Sequence, residues 1–126
     1  MADTSSTIET LLKRNLHEVF GEQDSSKRRA MIEKLYVEDA VFSDPHGRNV
    51  GREALDQAVV ALHKLLPGHA FKEIGPAQTL TDAGRLAWAF GPAEDPQRIT
   101  GLDVIVVRGD RIAALYTFLD QPPLNP

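Results

Sequence analysis

The sequence predicts an α+β domain in which three N-terminal helices cover one face of a curved, mainly antiparallel sheet. Three observations predict it. Apolar residues recur at three-four spacing as far as Leu66, turn-separated β-prone runs follow from Phe71 to Leu119, and 126 residues provide for one domain but not two.

Ser6, Thr7, Ile8 and Glu9 match a capping box, which places the first helix start there. Its stripe is Ile8, Leu11, Leu12, Leu16, Val19 and Phe20, with Asn15 the polar member and Gly21 the terminator. Asp24 caps a second helix carrying Met31, Ile32, Leu35 and Tyr36. A short strand, Ala40 to Asp44, is stopped by Pro45 and Gly47, and the stretch Gly47 to Arg52 reads as a loop. Leu55, Ala58, Val59, Leu62 and Leu66 mark a third helix from Arg52, ended by Pro67-Gly68. Strands are expected over Phe71–Leu80, Leu86–Phe90, Arg98–Val107 and Ile112–Leu119, forming an antiparallel meander. Gly75-Pro76 interrupts the first of these and requires a bulge or sharp bend. The tail 121–126 has nothing to pack against and reads as extended.

The absence of cysteine excludes disulfides, thiolate metal sites and cysteine nucleophiles. A net charge of -4 has the wrong sign for binding phosphate backbones by summed charge, so no nucleic-acid partner is expected. The start MADTSSTIET has no basic stretch followed by an apolar run, and no segment approaches the ~20 apolar residues that span a bilayer. The expected address is cytoplasmic, with no membrane contact. His17, His46, His63 and His69 lack metal-ligand spacing, so no metal is expected. Lys27-Arg28-Arg29 reads as the solvated face of the second helix.

Asp103 interrupts an apolar strand, where two-residue alternation puts it on one face with Ile105 and Val107. Burial there disfavours the charged form and yields a neutral hydrogen-bond donor; the alternative is a structural Asp bonded to backbone. Asp44 shares its strand face with Phe42 and Ala40, and it either aims a carboxylate at a pocket mouth or initiates an Asp-Pro turn. Asn15 faces the sheet or lies at the helix edge, and His63 touches a pocket or only borders its helix. Trp88 and Phe90 make one strand face bulky, as a pocket wall or as core. Val104, Val106, Tyr116 and Phe118 point away from the side of Asp103 and predict a homodimer through the sheet.

The run Leu35-Tyr36-Val37-Glu38-Asp39-Ala40-Val41-Phe42-Ser43-Asp44-Pro45-His46-Gly47, with Val50-Gly51-Arg52-Glu53-Ala54-Leu55 and Gly101-Leu102-Asp103 through Arg111-Ile112, resembles the nuclear transport factor 2-like superfamily, in its ketosteroid isomerase and SnoaL-like branch. The resemblance spans about Ile8 to Leu119 and implies a cone-shaped α+β barrel with a mixed, mainly antiparallel sheet. In ketosteroid isomerases the Asp of the Asp-Pro-x-Gly segment shuttles the proton, and that position is Asp44 here. The protonated Asp of the oxyanion hole matches Asp103. The resemblance also implies that Trp88, Phe90, Ile105 and Leu119 line the pocket, and Phe42 and His63 are nominated with them.

The chain departs from the isomerases on the first helix, where Asn15 stands in place of the oxyanion-hole tyrosine. It departs from the epoxide-hydrolase branch at Gly101, which lacks the Arg of an Arg-x-Asp pair. SnoaL-like cyclases usually carry His at the place of Asp103. The implied function is cofactor-free proton transfer on a small, hydrophobic carbonyl compound through an enolate. Asp44 is then the base, and Asp103 and Asn15 the donors to oxygen. The alternatives are a noncatalytic small-molecule-binding or dimerisation module and a SnoaL-like polyketide cyclase.

Overall fold

The computed structural model describes residues 4–121, with side chains from residue 7 onward. Helix α1 (Thr4–Arg14) continues into a π-helical stretch (Asn15–Phe20) and is followed by α2 (Ser25–Leu35), β1 (Tyr36–Asp44), β2 (Gly47–Val50) and α3 (Arg52–Leu65). Four strands complete the chain: β3 (Ala70–Thr79), β4 (Ala83–Gly91), β5 (Ile99–Arg108) and β6 (Arg111–Leu119). One open, six-stranded sheet results, in the order β2-β1-β6-β5-β4-β3. All neighbours are antiparallel except β1 and β6, which are parallel. The fold is therefore the expected α+β arrangement of helices on a mixed, curved sheet, with β3 to β6 as the expected meander.

The core lies between helices and sheet. Ile8, Leu12, Leu16 and Val19 pack with Leu86, Ile105 and Leu115, all essentially without exposure. The Gly21 amide bonds the Leu16 carbonyl at 2.9 Å, five residues back, and this wider turn brings Asn15, Leu16, Val19 and Phe20 inward together. Curvature has a local cause in β3, where the register with β4 shifts between Ile74 and Gln78. Gly75 there has φ +72, a conformation other residues adopt only with strain, so Gly75-Pro76 forms the expected bulge.

The structure corrects several expectations. Helix α1 already includes Thr4 and Ser5, so Ser6 is not its first cap, and Glu9 pairs with Lys13 at 3.0 Å. The side chain of Ser6 and residues 122–126 of the tail lie outside the described residues. Tyr36 leaves the second helix and opens β1 with extended backbone angles (φ -114, ψ 147). The α2 cap itself is as expected, since Asp24 Oδ1 accepts from the Lys27 amide at 3.0 Å.

Gly47–Val50 forms an edge strand paired with β1 from Val41↔Val50 to Asp44↔Gly47. A short edge strand buries neither face, so no alternation announces it. Arg28 is not a solvated residue: its Nε lies 2.7 Å from Asp56 Oδ1, with both side chains buried, and its Nη1 donates to the Glu22 carbonyl at 2.8 Å. Arg29 adds a contact to Asp56 Oδ2 at 3.0 Å and a forked pair with Glu53, so α2 and α3 are joined by charge. No helix among the described residues is long and apolar enough to cross a membrane.

Candidate active site

Between the helices and the concave face of the sheet lies a cavity of about 320 Å³, at the lower end of the ~300–1,000 Å³ typical of small-molecule sites. Leu16 and Phe20 wall it from the first helix, and Ala58, Leu62, Leu65 and Leu66 from α3 and its end. Phe42, Phe71, Trp88, Phe90, Ile99 and Leu119 wall it from the sheet. The aromatic rings form a connected wall: Phe20 meets Phe42 edge-on at 5.5 Å and Phe71 at 6.4 Å, and Phe71 stacks on Phe90 at 4.1 Å. Among the described residues, the polar groups on this surface are Asp44, His46, Asp103 and Thr117, and no lysine or arginine lines it.

Asp103 reaches the cavity from the middle of β5 and is 4% exposed. Its Oδ1 accepts from Trp88 Nε1 at 3.0 Å and from the Thr117 hydroxyl at 2.9 Å. Burial raises its pKa to about 6, and the two hydrogen bonds, which favour the carboxylate, oppose that rise. The indole fits because the residue facing Trp88 across β4 and β5 is Gly101. A Cβ there would stand 2.5 Å from Trp88 Cζ2 and 2.5 Å from the Phe118 carbonyl oxygen.

Asp44 lies at the opposite lateral side of the same surface, at the end of β1. Strand register places it beside Thr117, one step past Ser43↔Tyr116, while Asp103 faces Thr117 from the other side. Two strand spacings put the Cα atoms of the two aspartates about 10 Å apart. Asp44 is half-buried, and its Oδ1 accepts from the His46 amide at 3.0 Å, so it both initiates the turn and faces the cavity.

Six of the nine nominated residues meet here: Asp44, Asp103, Phe42, Trp88, Phe90 and Leu119. Three do not line the cavity. Ile105 is on the face of Asp103 but fully buried in the core. His63 donates Nε2–H to the Phe20 carbonyl at 2.7 Å and so ties α3 to the end of the π-helical stretch. Asn15 is fully buried behind the wall; its Oδ1 accepts the Tyr36 hydroxyl, and its Nδ2 has no partner among the described residues.

Two contributors were not nominated. Tyr36 is fully buried, and burial first, then the charge of Asp103, holds its hydroxyl well above the ordinary tyrosine value. A tyrosine read as the last turn of a helix gave no sign of this. Thr117 is the residue between the two aspartates, and alternation with Leu115 and Leu119 along β6 already puts it on the inner face. Among the described residues there is no group of three or more acidic or histidine side chains able to hold a metal ion.

No family model matches the sequence, and no curated protein does. Solved structures do match, under provisional functional names. One is an isomerase of the SnoaL-like family from Agrobacterium tumefaciens, with TM-score 0.85, 21% identity, and 92% of this chain and 99% of that one covered. A second is a ketosteroid isomerase from Kribbella flavida, with TM-score 0.71, 14% identity, and coverage of 96% and 83%. A third is a SnoaL-like polyketide cyclase from Jannaschia, with TM-score 0.78, 8% identity, and coverage of 95% and 90%. At these identities the likeness establishes a shared fold, that of the nuclear transport factor 2-like proteins, and leaves the chemistry to the site.

Proposed function

We propose that this chain, built on the SnoaL-like fold, is an isomerase-like enzyme that moves a proton on a small, largely apolar carbonyl compound through an enolate. The observation that carries the reading is two aspartates in unlike settings on one apolar cavity: Asp103 is buried with its pKa raised to about 6, and Asp44 is half-buried at the edge. Environments that push two carboxyls apart allow one to act as acid and the other as base.

In the proposed reaction Asp44 removes the proton α to the carbonyl and returns it to another carbon. Protonated Asp103 donates to the carbonyl oxygen as it takes on negative charge. The aromatic wall binds the apolar remainder and excludes water, which strengthens that donation. A ligand that displaces water from beside Asp103 raises its pKa further and favours the donating form. Asn15 and Tyr36, buried behind the wall, stiffen the site rather than touch the substrate in this mechanism.

The test is turnover of a β,γ-unsaturated ketone, followed by the absorbance of the conjugated enone. Wild type is expected to turn over and Asp44→Asn to lose that activity; equal rates in the two proteins would remove Asp44 as the base. One observation favours a second reading, a noncatalytic binding module: Asp44 already accepts a hydrogen bond from the His46 amide, as a purely structural turn residue would. Under that reading native mass spectrometry finds a bound apolar molecule in protein that has no isomerase activity.

A further inference from the structure

We propose that Trp88 and Thr117 are positioning residues that decide which oxygen of Asp103 carries its proton: by donating together to Oδ1, they leave Oδ2 to hold the hydrogen and present it to the cavity. The proton placement stands apart from the proposed reaction; only its use by a substrate rests on that reading.

The two donors converge on a single atom, at 3.0 Å from the indole and 2.9 Å from the hydroxyl. A carboxylic acid has one carbonyl oxygen, a good acceptor, and one hydroxyl oxygen, a good donor and poorer acceptor. Indole N–H can only donate, so the oxygen facing Trp88 has to be an acceptor whatever the protonation state. Putting the proton on that oxygen would turn the Thr117 hydroxyl from donor to acceptor and leave the indole N–H on a hydroxyl oxygen, the poorer acceptor, which weakens a bond worth about 1 kcal/mol net. Rotating the carboxyl by half a turn exchanges the names of its oxygens but not their roles.

Oδ2 has no hydrogen-bond partner among the described residues, and the carboxyl is part of the cavity wall. The indole is held in place by its neighbours: Phe71 packs edge-on at 5.5 Å, and Gly101 leaves the space its six-membered ring occupies. Thr117 is fixed by the β5–β6 register, directly opposite Asp103. The resulting single donor, aimed into an apolar space, suits the acceptor oxygen of a neutral carbonyl compound.

Infrared spectroscopy of the full chain tests this through the C=O stretch of protonated Asp103, recorded at acidic pH and identified by its loss in Asp103→Asn. If Oδ1 is the carbonyl, removing either donor raises the frequency. Trp88→Phe and Thr117→Val are then expected to move the band to higher wavenumber, and Thr117→Ser, which keeps the hydroxyl, to leave it in place. A band unmoved in both Trp88→Phe and Thr117→Val would overturn the proposal, because the carbonyl oxygen would then be the one without donors. The measurement needs no turnover: a shifted band in an inactive protein removes the isomerase reading alone, and an unmoved band in an active protein removes the proton placement alone.

Discussion

Trp88 reaches diagonally across the sheet to Asp103: it faces Gly101 in the β4–β5 register, and its indole nitrogen stands 3.0 Å from the carboxyl two residues further along the same face. The contact depends on a missing side chain. In Gly101→Ala the new methyl would lie 2.5 Å from the indole ring and 2.5 Å from a backbone oxygen, so the ring has to give way. A loss of about 1–3 kcal/mol in urea unfolding is expected from the overpacking. Trp88 is the chain's one tryptophan, so its fluorescence reports the displacement directly.

The stability of the protein is expected to depend on Asp103 in a defined pH window. Its pKa in the folded state is raised to about 6 from 3.8, so the folded protein holds this proton more tightly than the unfolded chain does. The ionised group therefore costs stability above pH 6, by about 3 kcal/mol, and that cost fades as pH falls from 6 to below 4. Asp103→Asn keeps an oxygen for Trp88 and Thr117 and is expected to be more stable than wild type at pH 8, with the difference closing towards pH 4. Urea midpoints across that range measure it.

The same titration shapes the proposed activity. At pH 7 about a tenth of the free protein carries the Asp103 proton, given its pKa of about 6. For turnover that needs this donor, kcat/KM falls about tenfold per pH unit above 6. Asp103→Asn, which retains an N–H donor of weaker acidity, is expected to lose that slope along with most of the rate.

Arg28 and Asp56 make a buried pair at 2.7 Å, and removing Arg28 leaves the Asp56 carboxyl in the interior with only the half-exposed Arg29 beside it. Arg28→Ala is expected to cost about 3–5 kcal/mol, while Arg28→Met combined with Asp56→Leu costs markedly less. Thermal unfolding of the three proteins tests whether the pair behaves as a unit. Arg29, which also reaches Asp56, is half exposed and its replacement is expected to matter much less.

On the outer face of the sheet Tyr116 and Phe118 are 39% and 57% exposed, and we infer that a second copy of the chain covers them, as their alternation with inward residues suggests. Light scattering is expected to give a dimer for wild type and a monomer for Phe118→Asp, whose inward neighbours are untouched.

Much of this molecule is legible in the sequence because period decides which residues share a face. Three-four spacing gave the helices, and two-residue spacing put Asp103 and Phe118 on opposite faces of the sheet. Asp24 and Gly75-Pro76 announced a cap and a bulge through chemistry that acts within a few residues. The missed features are those with no local signature. Strand β2 buries nothing and so has no pattern; Tyr36 suits a helix end as well as a strand start; Arg28 looks like any surface charge until Asp56, on another helix, is brought against it.

The sequence by itself determined the class of fold, the strand face that Asp103 shares with Ile105 and the absence of thiol chemistry, since each depends on residue identity and spacing alone. Only the tertiary structure decided the parallel pairing of β1 with β6. That pairing sets Asp44 and Asp103 on either side of Thr117 in one cavity, while the π-helical turn draws Asn15 behind the wall. Those placements come from strand order and from how a helix widens against the sheet, and contacts between residues tens of positions apart leave no trace in a periodic pattern.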